Sequence, residues 1–377
     1  MRSTRSVQVD SIDALKGAAC TLIVWHHLSA YGPMSDVVHL TAPGVIGWLY
    51  NDARLAVQVF LVIGGFLSAG ALSRHQSRVV QPPGGFFQQI VQLILQRFSR
   101  LAPAYWVALL VSVAVSAAVR PWFDHPSVPD APTWLQVAAH VPLLHDMLGQ
   151  SALSAGIWYV AIDLQLYALA ALLVLGGGLA QRSGTSMAAA RRGVMAVTWL
   201  LAALSLLVFN RQAGLDITAL YFFGVYGLGM LAFWSMQLVC PRERALWVGL
   251  LTLTSLLALW VDFRARIALA LVVALTMVLL HQPDGVAPGA MLRKIARAPV
   301  AYLAWLGKRS YSIFLIHFPM CLLFNAALAL AFPTQQWANA LGMLAAFAGS
   351  VLAGRVLHQH VEVRARRQPV AEVLAAA

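Results

Sequence analysis

Runs of about twenty apolar residues dominate this sequence and restrict the folds that are open to it. Of its 377 residues, 60% are hydrophobic and 11% are charged, whereas a soluble domain carries about 25% charged residues. A helix of about 20 apolar residues crosses a bilayer. The sequence therefore predicts an all-α polytopic membrane protein, a single membrane-embedded domain (residues 1–377) of about ten transmembrane helices. The predicted spans are roughly 11–31, 55–74, 101–119, 157–179, 193–209, 217–237, 246–263, 266–281, 303–331 and 339–360.

The basic residues are concentrated on one side of these predicted spans. An even number of spans places both termini on the same side, and the connections there contain Arg74, Arg78, Arg97, Arg100, Arg182, Arg191, Arg192, Arg242, Arg244, Arg293, Lys294 and Arg297. The ends add Arg2, Arg5, Arg364, Arg366 and Arg367, and the opposite side keeps Arg54, Arg120, Arg211, Arg264 and Arg266. Because lysine and arginine favour cytoplasmic loops, we expect cytoplasmic termini and a multi-pass protein of the cytoplasmic (inner) membrane. The net charge of +12 then indicates contact with membrane lipids rather than nucleic acid.

Cysteine usage and the N-terminus place further limits on the chain. Cys20, Cys240 and Cys321 have neither paired nor metal-ligand spacing, so neither a disulfide framework nor a metal site is expected. The first apolar segment lacks a small-residue cleavage site and is interpreted as a retained helix.

The first predicted span carries ionisable residues that are costly inside a bilayer. Asp13, Lys16, His26 and His27 lie within residues 12–31. On a helix, eleven residues bring His27 to within about 20° of the direction of Lys16, roughly 16 Å further along, whereas His26 points about 80° away. A core histidine with a snorkelling lysine is the structural alternative. One helix face shared by Lys16 and His27, with Asp13 near it, favours a functional role.

Arg97 and Arg100 lie three residues apart, just before the third span. Residues 84–100 follow a Pro-Pro-Gly-Gly break and are predicted to form an amphipathic helix at the membrane interface that runs into Pro103. Two guanidinium groups on one helical face suit phosphate binding. Positive-inside anchoring would also explain them.

The fourth span begins IWYVAIDLQLY and places Asp163 in the outer half of the membrane, near the depth estimated for His27. A carboxylate at that depth requires a partner. Asp163 shares a face with Tyr167, whereas Gln165 points elsewhere. A carboxylate that orients His27 would form a general acid–base arrangement, and a structural ion pair is the alternative.

Two further regions carry histidines. The ninth span has Lys308 and Arg309 at its inner end and His317 about 14 Å deeper, where a core role for the histidine is equally open. Residues 120–156 form the longest outer segment, with His140 and His145 in a short helical stretch. This segment is either a lid over an outward-facing cavity or an ordinary loop helix.

Six segments, read together and in order, resemble acyltransferase family 3, membrane proteins that O-acetylate extracytoplasmic sugars. The opening IDALKG, followed by His27, resembles the family's Leu-Asp-Gly-Leu-Arg-Gly with a histidine eleven residues after the basic residue. FLVIGGFL at 60–67 and the Arg-x-x-Arg of Arg97 and Arg100 follow. WYVAIDLQLY then places Asp163 at the family's glutamate, with Gln165 and Tyr167 beside it. GKRSYSIFLIH contains Ser310, Tyr311 and His317, and VEVR contains Glu362.

The resemblance implies the activity, the substrates and the site. The expected donor is acetyl-CoA or another acyl-CoA, bound from the cytoplasm with Arg97 and Arg100 at its phosphates and no metal. His27 would be the base or transient acyl carrier, with Asp163 and Lys16 as catalytic partners. The acceptor would be a hydroxyl of a glycan or lipid-linked saccharide, and supporting positions would be Asp13, Tyr167, Gln165, Ser310, Tyr311 and His317. A proton-coupled transporter or flippase, relaying protons through Lys16, His27 and Asp163, is the alternative.

Overall fold

The computed structural model describes residues 2–78, 85–280 and 297–365, and all regular secondary structure in these ranges is helical. The basic residues Arg293, Lys294, Arg366 and Arg367 lie outside them. The chain forms two compact units, the first from residues 1–57, 99–161 and 295–377 and the second from residues 58–98 and 162–294. Two of the boundaries between the units fall inside the long helices Phe86–Val119 and Trp158–Arg182, and another follows the first residue of the helix Val57–Arg78.

The helices are numbered here in chain order. The principal ones are α1 (Arg2–Ala30), α2 (Pro33–His39), α3 (Pro43–Asn51), α4 (Val57–Arg78), α5 (Phe86–Val119), α6 (Trp134–His140), α7 (Trp158–Arg182), α8 (Met187–Leu207), α9 (Ala219–Met236), α10 (Pro241–Val261), α11 (Ala265–Leu280), α12 (Arg297–Gly307), α13 (Ser310–Ala331) and α14 (Gln336–Leu357). Short 3₁₀ turns occur at Ala53–Ala56, Phe209–Arg211 and Ala213–Leu215. A π-helical turn, His358–Glu362, continues α14 into the three-residue helix Val363–Ala365.

Eight helical segments within the described ranges are long and apolar enough to cross a membrane. They are Pro43–His75, Phe86–Val119, Trp158–Gln181, Met187–Arg211, Ala219–Met236, Pro241–Val261, Ser310–Ala331 and Gln336–Ala365, and two shorter apolar helices are Ala265–Leu279 and Ala298–Gly307. The prediction of an all-helical, multi-pass membrane protein is confirmed. The number ten and the cytoplasmic side of the termini stay predictions. Helix α1 is absent from the eight because its polar residues, including Asp13, Lys16 and two histidines, lower its hydropathy.

Two predicted boundaries differ from the structure. The predicted division between an interfacial helix over residues 84–100 and a third span over 101–119 is wrong, because α5 runs unbroken from Phe86 to Val119 with Pro103 inside it. The predicted span 303–331 is two helices, α12 and α13, with Lys308 and Arg309 at the junction. A charged pair between two apolar helices interrupts the span, although a hydropathy average runs across it.

In the first unit, glycines allow α1 to pack closely against α12. A Cβ at Gly307 would collide with the backbone of Asp13, and a Cβ at Gly17 would collide with the carbonyl of Leu303. Each glycine therefore gives the neighbouring backbone room that any side chain would fill. This contact fixes the part of α1 that carries Asp13 and Lys16.

In the second unit, α4 and α9 approach each other in the same way. A Cβ at Gly65 would collide with the carbonyl of Tyr226, and a Cβ at Gly229 would collide with the carbonyl of Val62. Close backbone approach through small residues is the usual packing mode of membrane helices. It holds the Tyr226 region of α9 against α4.

The segment of residues 120–156 belongs to the first unit and contains α6. Thr133 and Gln136 form a capping box at the start of α6. His140 ends the helix and stacks on His145 at 4.2 Å between ring centroids, and both side chains are fully buried. The predicted helical stretch therefore includes His140 only, since His145 lies in the turns that follow.

Candidate functional site

The first unit brings His27 of α1 and His317 of α13 into direct contact. Their rings lie side by side in nearly the same plane, with centroids 4.6 Å apart and planes 10° from parallel. His27 Nδ1 forms a hydrogen bond with His317 Nε2. His317 is fully buried, and His27 is 8% exposed. Two residues 290 positions apart thus form one buried imidazole pair.

The hydrogen bonds of the pair fix its tautomers when both rings are neutral. His317 Nδ1 bonds the carbonyl of Phe314, and a carbonyl only accepts, so this nitrogen carries a proton. His317 Nε2 is then an acceptor, and His27 Nδ1 donates to it. The lone pair of a neutral His27 therefore lies on Nε2, which makes no hydrogen bond to any described residue. This arrangement presents a free imidazole base whose other nitrogen is held in place.

Gly156 and Tyr31 shape the surroundings of His27. Gly156 has a φ of +80°, and a Cβ there would lie 3.0 Å from the Phe314 ring and 3.4 Å from His27 Cε1. A side chain would be strained in conformation and crowded against both rings. The Tyr31 ring meets His27 edge-on at 5.4 Å. The side chain of Asn325 donates to the Tyr31 carbonyl and accepts from the Met34 amide, and so fixes the end of α1.

The other predicted residues of α1 have partners of their own. Lys16 Nζ lies 3.1 Å from Asp13 Oδ1, so these two residues form an ion pair. His26 Nδ1 donates to the Leu49 carbonyl at 3.2 Å and is half-buried. Of the two adjacent histidines, the one on the Lys16 face joins the imidazole pair.

In the second unit, Asp163 of α7 pairs with Arg97 of α5. Arg97 Nη2 and Nε lie 2.6 Å and 3.2 Å from Asp163 Oδ2. This finding corrects two sequence interpretations. The sequence predicts Arg97 at the inner end of the third span and Asp163, on the fourth span, in the outer half of the membrane. However, α5 begins at Phe86, so Arg97 lies about 16 Å along this helix. The orienting partner predicted for His27 was Asp163, yet the group that bonds His27 Nδ1 is His317.

Aromatic rings surround this ion pair. The Arg97 guanidinium lies over the Tyr167 ring at 5.3 Å from its centroid. A Cβ at Gly64 would lie 3.3 Å from the Tyr226 ring and 3.8 Å from Asp163 Oδ1. The Tyr226 hydroxyl is buried. Gln165, which was predicted to point elsewhere, caps α9, because its side chain accepts from the Ala219 amide and donates to the Ile217 carbonyl.

The remaining predicted residues, Arg100, Ser310 and Tyr311, belong to the first unit. Arg100 is exposed and forms neither a hydrogen bond nor an ion pair with the described part of the chain. The Ser310 carbonyl accepts from the Cys20 thiol, and the Tyr311 hydroxyl donates to the Leu101 carbonyl at 2.8 Å. These two bonds tie the start of α13 to α1 and α5. Within the described ranges, no cluster of three or more His, Cys, Asp or Glu side chains could hold a metal ion.

Comparison with known families identifies the family to which this chain belongs. A family model described as an acyltransferase domain matches residues 9–357, nearly the whole chain. The chain belongs to acyltransferase family 3. The predicted resemblance to this family is thus confirmed.

A curated relative of this chain is the protein named Regulator of hypoxia-inducible factor 1 from Caenorhabditis elegans. The two are 24% identical over 181 residues, which cover 45% of this chain and 35% of the relative. The chain therefore aligns with about a third of that protein's length. No solved structure matches the chain.

Sequence reasoning about this chain missed the two central pairings. His317 was expected only as a supporting residue, and its contact with His27 joins two distant parts of the chain. A partial signal did exist, because both histidines interrupt strongly apolar spans and a buried imidazole requires a polar partner. The same reasoning shows that Asp163 requires a partner, but it does not identify Arg97.

Proposed function

We propose that this chain transfers an acetyl group from acetyl-CoA to a hydroxyl of an extracytoplasmic glycan or lipid-linked saccharide. The observation that carries the proposal is the His27–His317 pair, with His27 Nε2 free, in a chain of acyltransferase family 3. Longer acyl-CoA donors use the same chemistry. The fixed imidazole supplies what such a reaction requires, a base that is correctly protonated and oriented before the substrate arrives.

The transfer is written with His27 as general base. Its Nε2 takes the proton of the acceptor hydroxyl while the hydroxyl oxygen attacks the thioester carbonyl carbon. The new C–O bond forms, the C–S bond breaks, and the imidazolium returns the proton to the departing CoA thiolate. The products are an O-acyl ester and free CoA. A positioned base of this kind contributes about 10²–10⁴-fold to the rate.

His317 serves this step through His27. While His27 carries the extra proton, its Nδ1–H remains directed at His317 Nε2, and the lone pair there stabilises the positive charge. The Phe314 carbonyl holds His317 in the required tautomer. A charge that would be costly in a buried site is therefore met by a chain of two hydrogen bonds.

The charged residues divide into two proposed roles. Arg100 has no described partner and suits a donor phosphate, and the Lys16–Asp13 pair is proposed to line the route of the donor. Arg97 is engaged by Asp163, and this pair is proposed to support the fold of the second unit rather than to bind the donor. The proton-relay alternative would require Lys16 and Asp163 as exchanging groups, whereas each is held by an opposite charge.

A CoA-release assay on purified protein tests the proposal. The protein is reconstituted with acetyl-CoA and a glycan extract, and free thiol is measured for the parent and for His27→Ala. We expect release by the parent that depends on the extract and is lost in the variant. Proton uptake into vesicles without any thiol release would instead establish the transporter or flippase.

A further inference from the structure

A row of stacked side chains lies where α12 meets α13 in the first unit. The Tyr302 and Trp305 rings are 6.1 Å apart and 11° from parallel. The Arg309 guanidinium lies over Trp305 at 4.3 Å from the ring centroid. Tyr302, at the far end of the row, is 54% exposed. The row therefore ends in an accessible aromatic face.

Two arginines lie near this junction. Arg355, near the end of α14, follows Gly354, where a Cβ would collide with the backbone of Ile313, about one turn after Arg309, and the positive charge of Arg355 acts on Arg309. Arg309 donates once to the Trp305 carbonyl, and its Nε is buried with no partner in the described residues. The side chain of Arg355 makes neither a hydrogen bond nor an ion pair with those residues. Like charges held together with unused donors are a common arrangement for binding an anion.

The carboxylates of this unit that could have neutralised the arginines are engaged elsewhere. Glu362 is buried and accepts hydrogen bonds from Ser312 and His358. Asp13 pairs with Lys16. Arg309 also precedes the first residue of α13, a helix of 22 residues whose N-terminus adds partial positive charge.

We propose that this junction is the nucleotide subsite of the acyl-CoA donor, where Arg309 and Arg355 bind its phosphates and its adenine stacks on Tyr302. The inference rests on the proposed function. It adds Arg309 and Arg355, which lie outside the family-type motif of Arg97 and Arg100, to the phosphate contact proposed for Arg100. Aromatic faces bind nucleobases, and guanidinium groups bind phosphates in two-point contacts.

Helix α13 sets the distance between this subsite and the histidine pair. Arg309 precedes His317 by eight residues, which is about 12 Å of helix. A pantetheine arm in an extended form covers a distance of this order. The phosphates at Arg309 would therefore leave the thioester within reach of His27, which contacts His317.

Binding of CoA analogues to the full-length protein in detergent tests the subsite. Affinities for CoA, 3′-dephospho-CoA and pantetheine are measured by isothermal titration for the parent, Arg309→Gln, Arg355→Gln, Tyr302→Leu and Tyr302→Phe. The matched control is Arg192→Gln, since Arg192 is an exposed arginine that pairs with Glu243 in the second unit. We expect each arginine variant to bind CoA about 10- to 100-fold more weakly. Pantetheine binding should stay unchanged, and phenylalanine at position 302 should retain the affinity that leucine loses.

The outcomes separate this inference from the proposed function. If the parent binds CoA and both arginine variants bind it within twofold, the residues are membrane-interface anchors and the subsite is wrong, although the proposed function stands. If the parent binds no CoA, both fall. Arg309→Lys, which keeps the charge, should retain part of the affinity. Melting curves that match the parent would show that the losses arise in binding.

Discussion

At the scale of single residues, the imidazole pair explains why one of two adjacent histidines is suited to chemistry. His26 donates to a main-chain carbonyl, whereas His27 donates to another imidazole, which can take up charge. A main-chain carbonyl cannot change its protonation state, but a neutral histidine can share a proton. The hydrogen-bond partner of each imidazole, more than its depth in the protein, decides whether it is suited to accept and donate protons.

The first prediction concerns His317. We expect His317→Ala to lower kcat by about 100-fold, because His27 loses the acceptor that fixes its tautomer and stabilises its charge. Affinity for the donor should stay unchanged. The measurement is steady-state CoA release with varied acetyl-CoA. His27→Ala should lose all transfer, whereas His26→Ala at matched expression should retain most of it; equal losses in the two adjacent variants would contradict the assignment.

The second prediction concerns the Arg97–Asp163 ion pair. Asp163→Asn leaves the guanidinium without its charged partner, so we expect a loss of roughly 3–5 kcal/mol in the free energy of unfolding. Thermal or denaturant unfolding in detergent measures it. Arg97→Gln should cost a similar amount, and the double variant should cost less than the sum because neither charge is then stranded. An Asp163→Asn protein of parental stability that has lost activity would instead restore a direct catalytic role for the carboxylate.

The buried polar residues could be selected from the sequence, but the residues they contact could not. Lys16, His27, Asp163 and His317 stand out because charged or polar groups are rare in apolar spans. Which of them meet depends on how each helix is rotated and shifted against its neighbours. That geometry is set by packing between distant segments, and helical periodicity within one segment does not contain it.

At the scale of helices, the contact between α1 and α12 leads to the third prediction. Gly307→Ala would drive a methyl group into the Asp13 backbone, so we expect a loss of about 1–3 kcal/mol in stability. Gly249→Ala in α10 is the matched control, because a Cβ there would meet nothing within 4 Å. Melting temperatures in one detergent compare them. Equal melting of the two variants would show that the helices separate easily.

The positions of helices were more predictable from the sequence than their ends. Hydropathy averages identify the apolar stretches, since burial in lipid depends on composition over about 20 residues. The same averaging joined α12 to α13 across Lys308 and Arg309, and it divided α5 after Arg100. A proline inside a membrane helix is tolerated where neighbouring groups satisfy the freed carbonyl.

At the scale of the whole molecule, the fourth prediction concerns topology. The basic residues around Cys240 predict that it lies on the cytoplasmic side, with both termini. Cys240 is exposed, and Cys20 and Cys321 are buried. A maleimide that does not cross membranes should therefore label intact cells only after permeabilisation, and Cys240→Ser should remove that label. Labelling of Cys240 from outside would invert the predicted orientation.

The stacked histidines of the segment 120–156 make this part of the protein sensitive to acid. Burial lowers the pKa of both His140 and His145 to about 4, against about 6.5 when the segment is unfolded. Between pH 4 and pH 6.5, the two histidines bind protons when the segment is unfolded but stay neutral when it is folded. The stability of the folded segment should therefore fall from pH 6.5 toward pH 4 and stay level above pH 7. Amide hydrogen exchange across residues 134–150, corrected for its intrinsic dependence on pH, should become faster as the pH falls through this range. The increase should be smaller in His145→Phe. Corrected exchange rates that do not change with pH would contradict this prediction. In acid surroundings, this loop segment would therefore unfold before the apolar helices do.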